Sequence, residues 1–330
     1  MYFLQFFFTI SKVIFISLTQ LKKSNAWAKH YLKELEFTYN GKFEPAIISK
    51  IARYQSIQLH FVANVFSGLY GRKNTNQEQL KNLQYFITTV LYDAFFDEDK
   101  LAEARINELF YHPEKAVPTQ FSERVFIAMH LALLKQVADK GAYWNTIHNL
   151  HLAQQDSAKQ FNTTTSKEEI LAITIRKGGY SLLICRHYLQ DPIHENIDQC
   201  WYALGGLIQM TNDLYDTYKD TESGIRTFAN EAKQISTIQH IYETQKQQFK
   251  QLVIKLPFNY HQKIVFSIHM SVIAAFGDIA IQQLKGITTN SGTLPNFKEI
   301  PRKLLIIDME LVINKYRLIK YAYKNGKLWT

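Results

Sequence analysis

One stretch of the chain carries oxygen-bearing side chains at a spacing that suits a metal site. Within residues 203–230, Asn212, Asp216 and Asp220 follow one another at every fourth position. On an α-helix that interval places the three side chains on one face over two turns. Carboxylate and amide oxygens in such a column are ligands for a hard cation such as Mg²⁺, which also takes oxygens from water and phosphate. A solvated acidic helix face shows the same pattern, so this stretch alone leaves both interpretations open.

A second group of carboxylates stands nearer the N-terminus, directly after the uncharged residues 85–92. Asp93 and Asp97 are again four residues apart, and Glu98 follows them. We expect this group at the C-terminal end of a helix, where the helix dipole opposes negative charge by about 0.5 kcal/mol per group. A bound cation offsets that cost. Two such helices together predict a clamp for a cluster of Mg²⁺ ions and a diphosphate.

The two motifs together resemble those of the class I isoprenoid synthases, the helical enzymes that include terpene cyclases and trans-prenyltransferases. Asp93-Ala-Phe-Phe-Asp97 is similar to their first aspartate-rich motif, with Ala94 in place of the second aspartate. Residues 212–220 are similar to the second metal motif of terpene cyclases, with Asp216 where Ser or Thr is usual. The resemblance implies a three-ion Mg²⁺ cluster. Its protein ligands would be Asp93, Asp97, Asn212, Asp216 and Asp220.

Basic residues close to these motifs are candidates for binding the diphosphate. Arg176 and Lys177 precede the adjacent glycines Gly178 and Gly179. Each glycine costs about 1 kcal/mol in a helix relative to alanine, so the pair indicates either a helix break or a close approach. A break would free backbone N–H groups for a phosphate. Class I cyclases carry such a break with a sensor arginine, and the Lys-Gly-Gly form is most similar to bacterial large-terpene synthases. Helix packing at the glycines, with two solvated bases, is the alternative.

Two further basic positions carry weaker resemblances. The sequence Gly224-Ile-Arg226-Thr227 resembles the Gly-Lys-x-Thr turn of prenyltransferases, so Arg226 would either reach a phosphate or cap a helix. Near the C-terminus, Tyr316 and Arg317 resemble the tyrosine and basic residue that close over diphosphate in cyclases. A solvated basic helix face is the favoured explanation of that last pair.

Aromatic residues around the motifs predict a dry pocket, which an allylic cation needs because ring faces stabilise positive charge and water would quench it. Ordinary core packing must explain at least half of them. One turn before the first motif stand the small side chains of Thr88 and Thr89, which favour a prenyl chain of C20 or longer. The candidate lining residues are Tyr85, Phe86, Thr89, Phe96, Tyr180 and Tyr215.

Departures from the family pattern distinguish chain elongation from ionisation of a single prenyl diphosphate. Chain-elongating prenyltransferases follow the first motif with an Arg-Arg pair, whereas Ala102 and Glu103 stand at those positions, and their Gly-Gly-Lys-Arg motif is missing. We therefore expect a class I terpene synthase, a carbon–oxygen lyase that ionises one prenyl diphosphate and releases diphosphate. The alternatives are a chain-elongating or head-to-head prenyltransferase, or a catalytically impaired isoprenoid-binding helical protein.

The spacing of apolar residues along the chain predicts an all-α fold. Apolar residues recur at helical spacing from Phe43 onward, and no alternating strand pattern is present. Ser166 and Glu169 form a capping box at the start of a helix. We expect a single domain over residues 25–330, a bundle of about ten to twelve helices around a central cavity. The predicted interruptions are at residues 72–77, 112–119, 156–165, 190–194, 221–224 and 286–296.

The first 24 residues are unusually apolar. Lys12 keeps the uncharged run shorter than the ~20 residues of a membrane span. Lys22 and Lys23 follow the apolar run instead of preceding it, which argues against a secretory signal. We expect a helix packed on the body of the protein, with an interfacial membrane helix as the alternative.

The net charge of +9 permits three kinds of acidic partner: nucleic acid, an anionic membrane or a diphosphate substrate. The basic residues are scattered and form no stripe, so we expect no nucleic-acid partner. Two cysteines without a disulfide or metal spacing suit a reducing cytoplasm. We predict a cytoplasmic protein, and the sequence leaves peripheral membrane contact and a homodimer open.

Overall fold

The computed structural model describes residues 2–97, 101–192 and 195–327, without the side chains of Asp97 and Glu195. Within them the regular elements are helices, accompanied by an isolated antiparallel bridge between Gln234 and Thr293. The α-helices are α1 (Tyr2–Thr38), α2 (Pro45–Gln58), α3 (Asn64–Leu69), α4 (Asn76–Asp97), α5 (Glu103–Tyr111), α6 (Phe121–Gln136), α7 (Lys140–Asp156), α8 (Lys167–Arg186), α9 (Glu195–Tyr215), α10 (Thr217–Glu222), α11 (Ile235–Lys255), α12 (Tyr260–Lys285), α13 (Arg302–Leu305) and α14 (Val312–Asn325). A π-helix spans Leu59–Ala63, and 3₁₀ turns span Ser157–Phe161 and Phe297–Glu299.

The prediction of an all-α fold is confirmed. Eleven of these helices, in the described part of the chain, have nine or more residues, which agrees with the expected ten to twelve. Each predicted interruption, in the residues that the structure describes, lies at or overlaps a junction between helices. Three of the junctions carry a glycine with positive φ, where a side chain would strain the backbone: Gly71, Gly224 and Gly292. At the start of α8, the Glu169 backbone N–H donates to Ser166 Oγ over 3.1 Å, as the capping box requires.

The chain divides into two compact units. The larger unit contains the described residues of 1–10, 141–186 and 192–330, and the smaller contains those of 11–140 and 187–191. Helix α1 runs without interruption through residues 24 and 25, so the predicted boundary between an N-terminal element and a single domain falls inside a helix. The single-domain assignment for 25–330 stays a prediction.

The core of the larger unit is built on α9, which packs against α8, α11 and α12, while α14 packs on α12. Leu207, Met210 and Leu214 on α9 are almost fully buried in this core. The buried Tyr242 hydroxyl bonds with Thr211 Oγ1 over 2.9 Å and donates to the Ala274 carbonyl over 3.1 Å, so α9, α11 and α12 are also fixed by polar contacts. Burial of this apolar surface is the main stabilising contribution.

Glycines allow α8 and α9 to cross at very short distance. A Cβ atom on Gly178 would overlap the Gly205 carbonyl oxygen, and one on Gly205 would overlap the Gly178 carbonyl. Gly179 is covered by the ring of Tyr202. Helix α8 is continuous through both of its glycines. The expectation of a helix break is therefore wrong, and the alternative of close packing is confirmed.

The smaller unit packs α2 and α6 against α4. A charged node supports it from the side: Arg72 donates two bonds to the buried Glu78, at 2.9 and 2.8 Å, and one to Asp191 at 2.6 Å. The Gln190 backbone N–H also donates to Glu78. Because both carboxylates receive several donors, the node fixes residues 190–191 against the start of α4.

Among the described residues, two helices, α1 and α12, are long and apolar enough to cross a membrane. The apolar window of α12 is 67% buried, as expected for a core helix, whereas that of α1 is only 22% buried. Phe6 and Val13 of α1 are buried, and so are Ala28 and Leu32 further along. One face of the helix is therefore buried against protein, and its opposite apolar face is exposed; the choice between a helix packed on the body and an interfacial membrane helix stays a prediction.

Candidate functional site

The predicted column of metal ligands stands where α9 passes into α10. Asp216 separates the two helices, with φ −89° and ψ 8°. Helical spacing nevertheless continues, because the Asp216 N–H donates to the Asn212 carbonyl and the Asp220 N–H to the Asp216 carbonyl, each over 2.8 Å. Asn212, Asp216 and Asp220 therefore follow one another as predicted, but on two helices joined at Asp216 and not on one uninterrupted helix.

Exposure differs along the column. Asn212 and Asp216 are exposed, whereas Asp220 is only 9% exposed. The neighbouring Asp213 is buried and accepts hydrogen bonds from Thr174 Oγ1 over 2.9 Å and from Gln209 Nε2 over 3.0 Å. The spacing argument missed Asp213 because it lies one position off the column. Its bond to Thr174 ties α9 to α8.

Three carboxylates at this junction influence one another. Burial raises the pKa of Asp213 to about 6, against the opposing effect of its two hydrogen bonds. Burial, followed by the charges of Asp213 and Asp216, raises the pKa of Asp220 to about 7. Lys219 and Lys177 act in the opposite direction on Asp220. We call Asp213, Asp216 and Asp220 the carboxylate cluster. Such mutual repulsion is what a bound cation would relieve.

The two predicted cations on α8 have different surroundings. Lys177 acts electrostatically on both Asp213 and Asp220, so its charge belongs to the carboxylate cluster. Arg176 instead donates to Glu169 over 2.9 Å and to Asp156 over 3.1 Å. Glu169 is thereby engaged as an ion-pair partner of Arg176, almost two turns earlier along α8.

Arg226 holds a loop. Its guanidinium donates to the carbonyls of Asn162 and Thr165, at 2.5 and 2.9 Å, and to the Glu231 carboxylate at 2.8 Å. Its backbone N–H also donates to the carbonyl of Gln160. The residue thus fastens the loop that precedes α8, and its predicted contact with phosphate stays a prediction.

The remaining candidates of the larger unit lie on several elements. Tyr215, at the end of α9, donates its hydroxyl to Met309 Sδ over 3.3 Å. The Tyr180 ring meets that of Tyr202 edge-on at 5.0 Å. On α14, Tyr316 is 60% exposed, and Arg317 donates to Asn314 Oδ1 over 3.1 Å. In the part of the chain that the structure describes, the surroundings of Tyr316 and Arg317 agree with a solvated basic helix face.

Residues 297–311, which we call the covering segment, pack on α10. The guanidinium carbon of Arg302 lies 5.8 Å from the centre of the Tyr218 ring, and Met309 contacts Tyr215. Sequence reasoning missed Arg302, a cation close to the α9–α10 junction. The signal available was weak, since it is one of many scattered basic residues.

The first acidic motif belongs to the smaller unit. Asp93 is partly buried in the last turn of α4, and Asp97 ends that helix, as predicted. The side chain of Asp97, and Glu98 and Asp99 altogether, lie outside the described residues. The arrangement of the two motifs around one central cavity stays a prediction.

The predicted pocket residues of α4 have mixed exposure. Tyr85 is 3% exposed and packs against the rings of Phe86 and Tyr188, at 5.2 and 5.5 Å. Phe96 contacts Tyr92 and is partly buried. Thr89 is also partly buried. Tyr85 therefore behaves as a core residue, while Phe86, Thr89 and Phe96 retain some exposure.

A separate pocket of about 200 Å³ opens among α9, α11, α12 and α14. Lys246, Lys250 and Lys324 line it together with Leu207 and Phe249. Lys246 is paired with Asp278 at 2.8 Å and with Glu243 at 2.8 Å. None of the predicted substrate-pocket residues lines this pocket, so it does not correspond to the predicted one.

The donor set at the α9–α10 junction suits Mg²⁺ only with oxygens from outside the protein. In the described part of the chain, no three His, Cys, Asp or Glu side chains are placed to hold a metal together. Mg²⁺ normally takes one or two carboxylates and completes its shell with water and phosphate oxygens. The exposed Asn212 and Asp216, with Asp220 beside them, are compatible with such a partial site.

No protein-family model matches this chain, and no curated protein matches it either. A functional assignment therefore depends on the residues described above.

Proposed function

We propose that this protein is a Mg²⁺-dependent class I isoprenoid synthase that ionises a prenyl diphosphate and releases diphosphate. The observation that carries the proposal is the carboxylate cluster at the α9–α10 junction, with Lys177 acting on two of its members. Three mutually repelling carboxylates beside a lysine provide both a site for cations and a positive group for an anionic substrate. The motif order along the chain supports the same reading.

The residues at the α9–α10 junction would have different roles. Asn212 and Asp216 are exposed and would supply oxygens to Mg²⁺, with Asp220 as the third ligand. Asp213 is a positioning residue, because its bonds to Thr174 and Gln209 fix α9 against the helix that carries Lys177. When bound, Mg²⁺ would neutralise the charge that develops on the leaving diphosphate. The role of Asp93 and Asp97 as Mg²⁺ ligands stays a prediction.

The proposed diphosphate ligands can be ranked by the hydrogen bonds and ion pairs that each would lose on binding phosphate. Lys177 already acts on the carboxylate cluster. Arg176 is partly exposed and would exchange two carboxylate partners for phosphate. Arg226 is 16% exposed and has three acceptors, so its release from the loop would be costly. Tyr316 is exposed, and Arg317 would exchange its bond to Asn314 for phosphate. We therefore place Lys177 first and Arg226 last.

The substrate would be a single prenyl diphosphate of C20 or longer, and the reaction that of a lyase. Tyr180 and Tyr215, both partly buried, would contribute ring faces to the allylic cation. The absence of an Arg-Arg pair at residues 102–103 favours this reaction over chain elongation, which must hold a second diphosphate.

The test is a turnover assay on the purified full-length protein. A panel of C10 to C35 prenyl diphosphates is incubated with and without Mg²⁺, diphosphate release is measured, and products are extracted with solvent. We expect release only with Mg²⁺ and a C20 or longer substrate. Failure to release diphosphate from any member of the panel at saturating Mg²⁺ would refute the proposal.

A variant pair connects the activity to the carboxylate cluster. Asp216→Ala should abolish turnover and change the free energy of unfolding by less than about 0.5 kcal/mol, because the side chain is exposed and makes no capping bond. Glu222→Gln, at an exposed carboxylate at the end of α10, is the matched control and should keep full activity. A fully active Asp216→Ala variant would show that the column is not a metal site.

A further inference from the structure

The N-terminal part of α1 exposes a broad aromatic face. Phe3, Leu4, Phe7 and Phe8 are between 59% and 64% exposed. Their positions, i, i+1, i+4 and i+5, place them on one side of the helix, and the opposite side is buried through Phe6. The same side continues along α1 with further exposed apolar residues. They are Ile14, Phe15 and Leu18.

Helix α14 exposes a second apolar face in the same unit. Val312, Tyr316 and Ile319 are 82%, 60% and 48% exposed, and their spacing of four and three residues puts them on one side of the helix. Asn314 and Ala322, on the other side, are buried. Solvation of three large side chains in one row is costly, since apolar area in water is unfavourable.

The two faces meet. Tyr323, four residues after Ile319, contacts the rings of Tyr2 and Phe6 at 5.2 and 5.0 Å and that of Phe3 at 6.4 Å. The Tyr2 hydroxyl donates to the Tyr323 carbonyl over 2.8 Å. Phe3 is therefore both exposed and in contact with Tyr323, which lies one turn beyond the row on α14. The apolar surface, as we define it, consists of Phe3, Leu4, Phe7 and Phe8 on α1 and Val312, Tyr316 and Ile319 on α14.

Positive charge accompanies both elements. Helix α1 has no acidic residue before Glu34. Residues 311–327 have none at all and carry five basic residues. The Lys327 ammonium lies 5.0 Å from the centre of the Tyr323 ring, at the junction of the two faces. Long basic side chains beside apolar ones are typical of segments that lie at a lipid headgroup layer. The lysines that precede Glu34 are Lys12, Lys22, Lys23, Lys29 and Lys33.

We propose that the apolar surface docks on a lipid bilayer that contains anionic headgroups, with α1 lying in the interface plane. An anionic bilayer matches both the apolar area and the surrounding cations. A second copy of the chain would bring the same cations and would place like charges together. A transmembrane path for α1 is disfavoured, because Phe6, Thr9 and Val13 are buried against protein, where a spanning helix would contact lipid.

Flotation of the full-length protein with vesicles tests the proposal. Vesicles of phosphatidylcholine alone are compared with vesicles in which about a third of the lipid is phosphatidylserine. We expect binding to the anionic vesicles that weakens as salt is raised, and at least about tenfold weaker binding to the neutral ones. Equal binding to both compositions, or no binding to either, would overturn the proposal.

Matched variants locate the surface. Phe3→Ser with Phe7→Ser, and separately Val312→Ser with Ile319→Ser, should each weaken binding to anionic vesicles by about tenfold or more. Phe37→Ser is the control, since Phe37 is 91% exposed on the same helix but lies beside Glu34 and Glu36. Retained circular dichroism and melting temperature show that the variants fold. Equal loss of binding in the control would contradict the assignment.

A probe at Phe8→Cys gives an independent readout. The native thiols Cys185 and Cys200 are buried, so an environment-sensitive dye should label the new cysteine selectively. We expect a blue shift with anionic vesicles and release of the protein from them by alkaline carbonate. Resistance to carbonate would indicate a spanning helix. A dimer in lipid-free solution that the Phe3→Ser, Phe7→Ser variant separates would indicate a second copy as the occupant. Either result would overturn the proposal.

Discussion

Replacing Asp220 by asparagine should stabilise the protein at neutral and alkaline pH. The Asp220 carboxyl has a pKa of about 7 in the folded protein, against an ordinary value of 3.8, because of burial and then the charges of Asp213 and Asp216. Between these two pH values the folded state holds a proton that the unfolded state releases. The contribution of Asp220 to the free energy of unfolding is therefore largest below about pH 4. It falls as the pH rises from there and is lost once the pH has passed about 7.

The magnitude follows from the size of the pKa difference. Each tenfold change in proton affinity corresponds to about 1.4 kcal/mol, so ionised Asp220 costs the folded state up to about 4 kcal/mol above pH 7. Asp220→Asn removes the charge with nearly the same shape. We expect the variant to match the wild type near pH 4 and to exceed its free energy of unfolding by about 2–4 kcal/mol near pH 8.

Urea unfolding followed by circular dichroism, from about pH 4 to about pH 8, measures this difference directly. Glu222→Gln is the control for a neutralised carboxylate on the same helix, and its difference from the wild type should not change with pH. Added Mg²⁺ should stabilise the wild type more at pH 8 than at pH 5, because it binds ionised carboxylates. A difference between Asp220→Asn and the wild type that is constant over the pH range would refute the reasoning.

Three further outcomes are expected. Gly178→Ala should destabilise the protein by about 1–3 kcal/mol in urea unfolding because its Cβ would meet the backbone of Gly205; Gly68→Ala, where a Cβ meets no atom within 4 Å, should not destabilise. Arg226→Met should cost about 2–3 kcal/mol by removing charged hydrogen bonds; unchanged stability with lost turnover would favour a phosphate contact instead. Thr89→Phe should shift turnover towards shorter prenyl diphosphates, and an unchanged preference would place the prenyl tail elsewhere.

The sequence was sufficient for the helices and their ends, because those are set by local chemistry. Ser166 and Glu169 identify a helix start by residue type and spacing, and the structure has the bond between them. Gly224 marks the end of α10 because its positive φ favours glycine. Periodicity of apolar residues sufficed for the all-α class.

The features that the sequence did not predict depend on contacts between residues that are far apart in the chain. Gly178 faces Gly205, and no local pattern distinguishes a glycine that breaks a helix from one that admits a distant helix. Arg226 resembles a phosphate ligand by its position after the second motif, yet its acceptors are carbonyls more than sixty residues earlier in the chain. The role of Asp213 could be recognised only from its hydrogen bond with Thr174, which lies on α8.

The glycine crossing of α8 and α9 has a consequence for where the protein can move. Helices whose backbones touch without intervening side chains separate only if both lose their packing, so their interior amides should be among the slowest to exchange with deuterium. Asp213 and Lys177 stand on this slow-exchanging pair, and Asp216 follows directly after the end of α9. The covering segment, residues 297–311, contains only one short α-helix and one 3₁₀ turn, and its amides should exchange much sooner. Adaptation to a bound molecule would then be taken up by the covering segment, while the charged groups keep their positions.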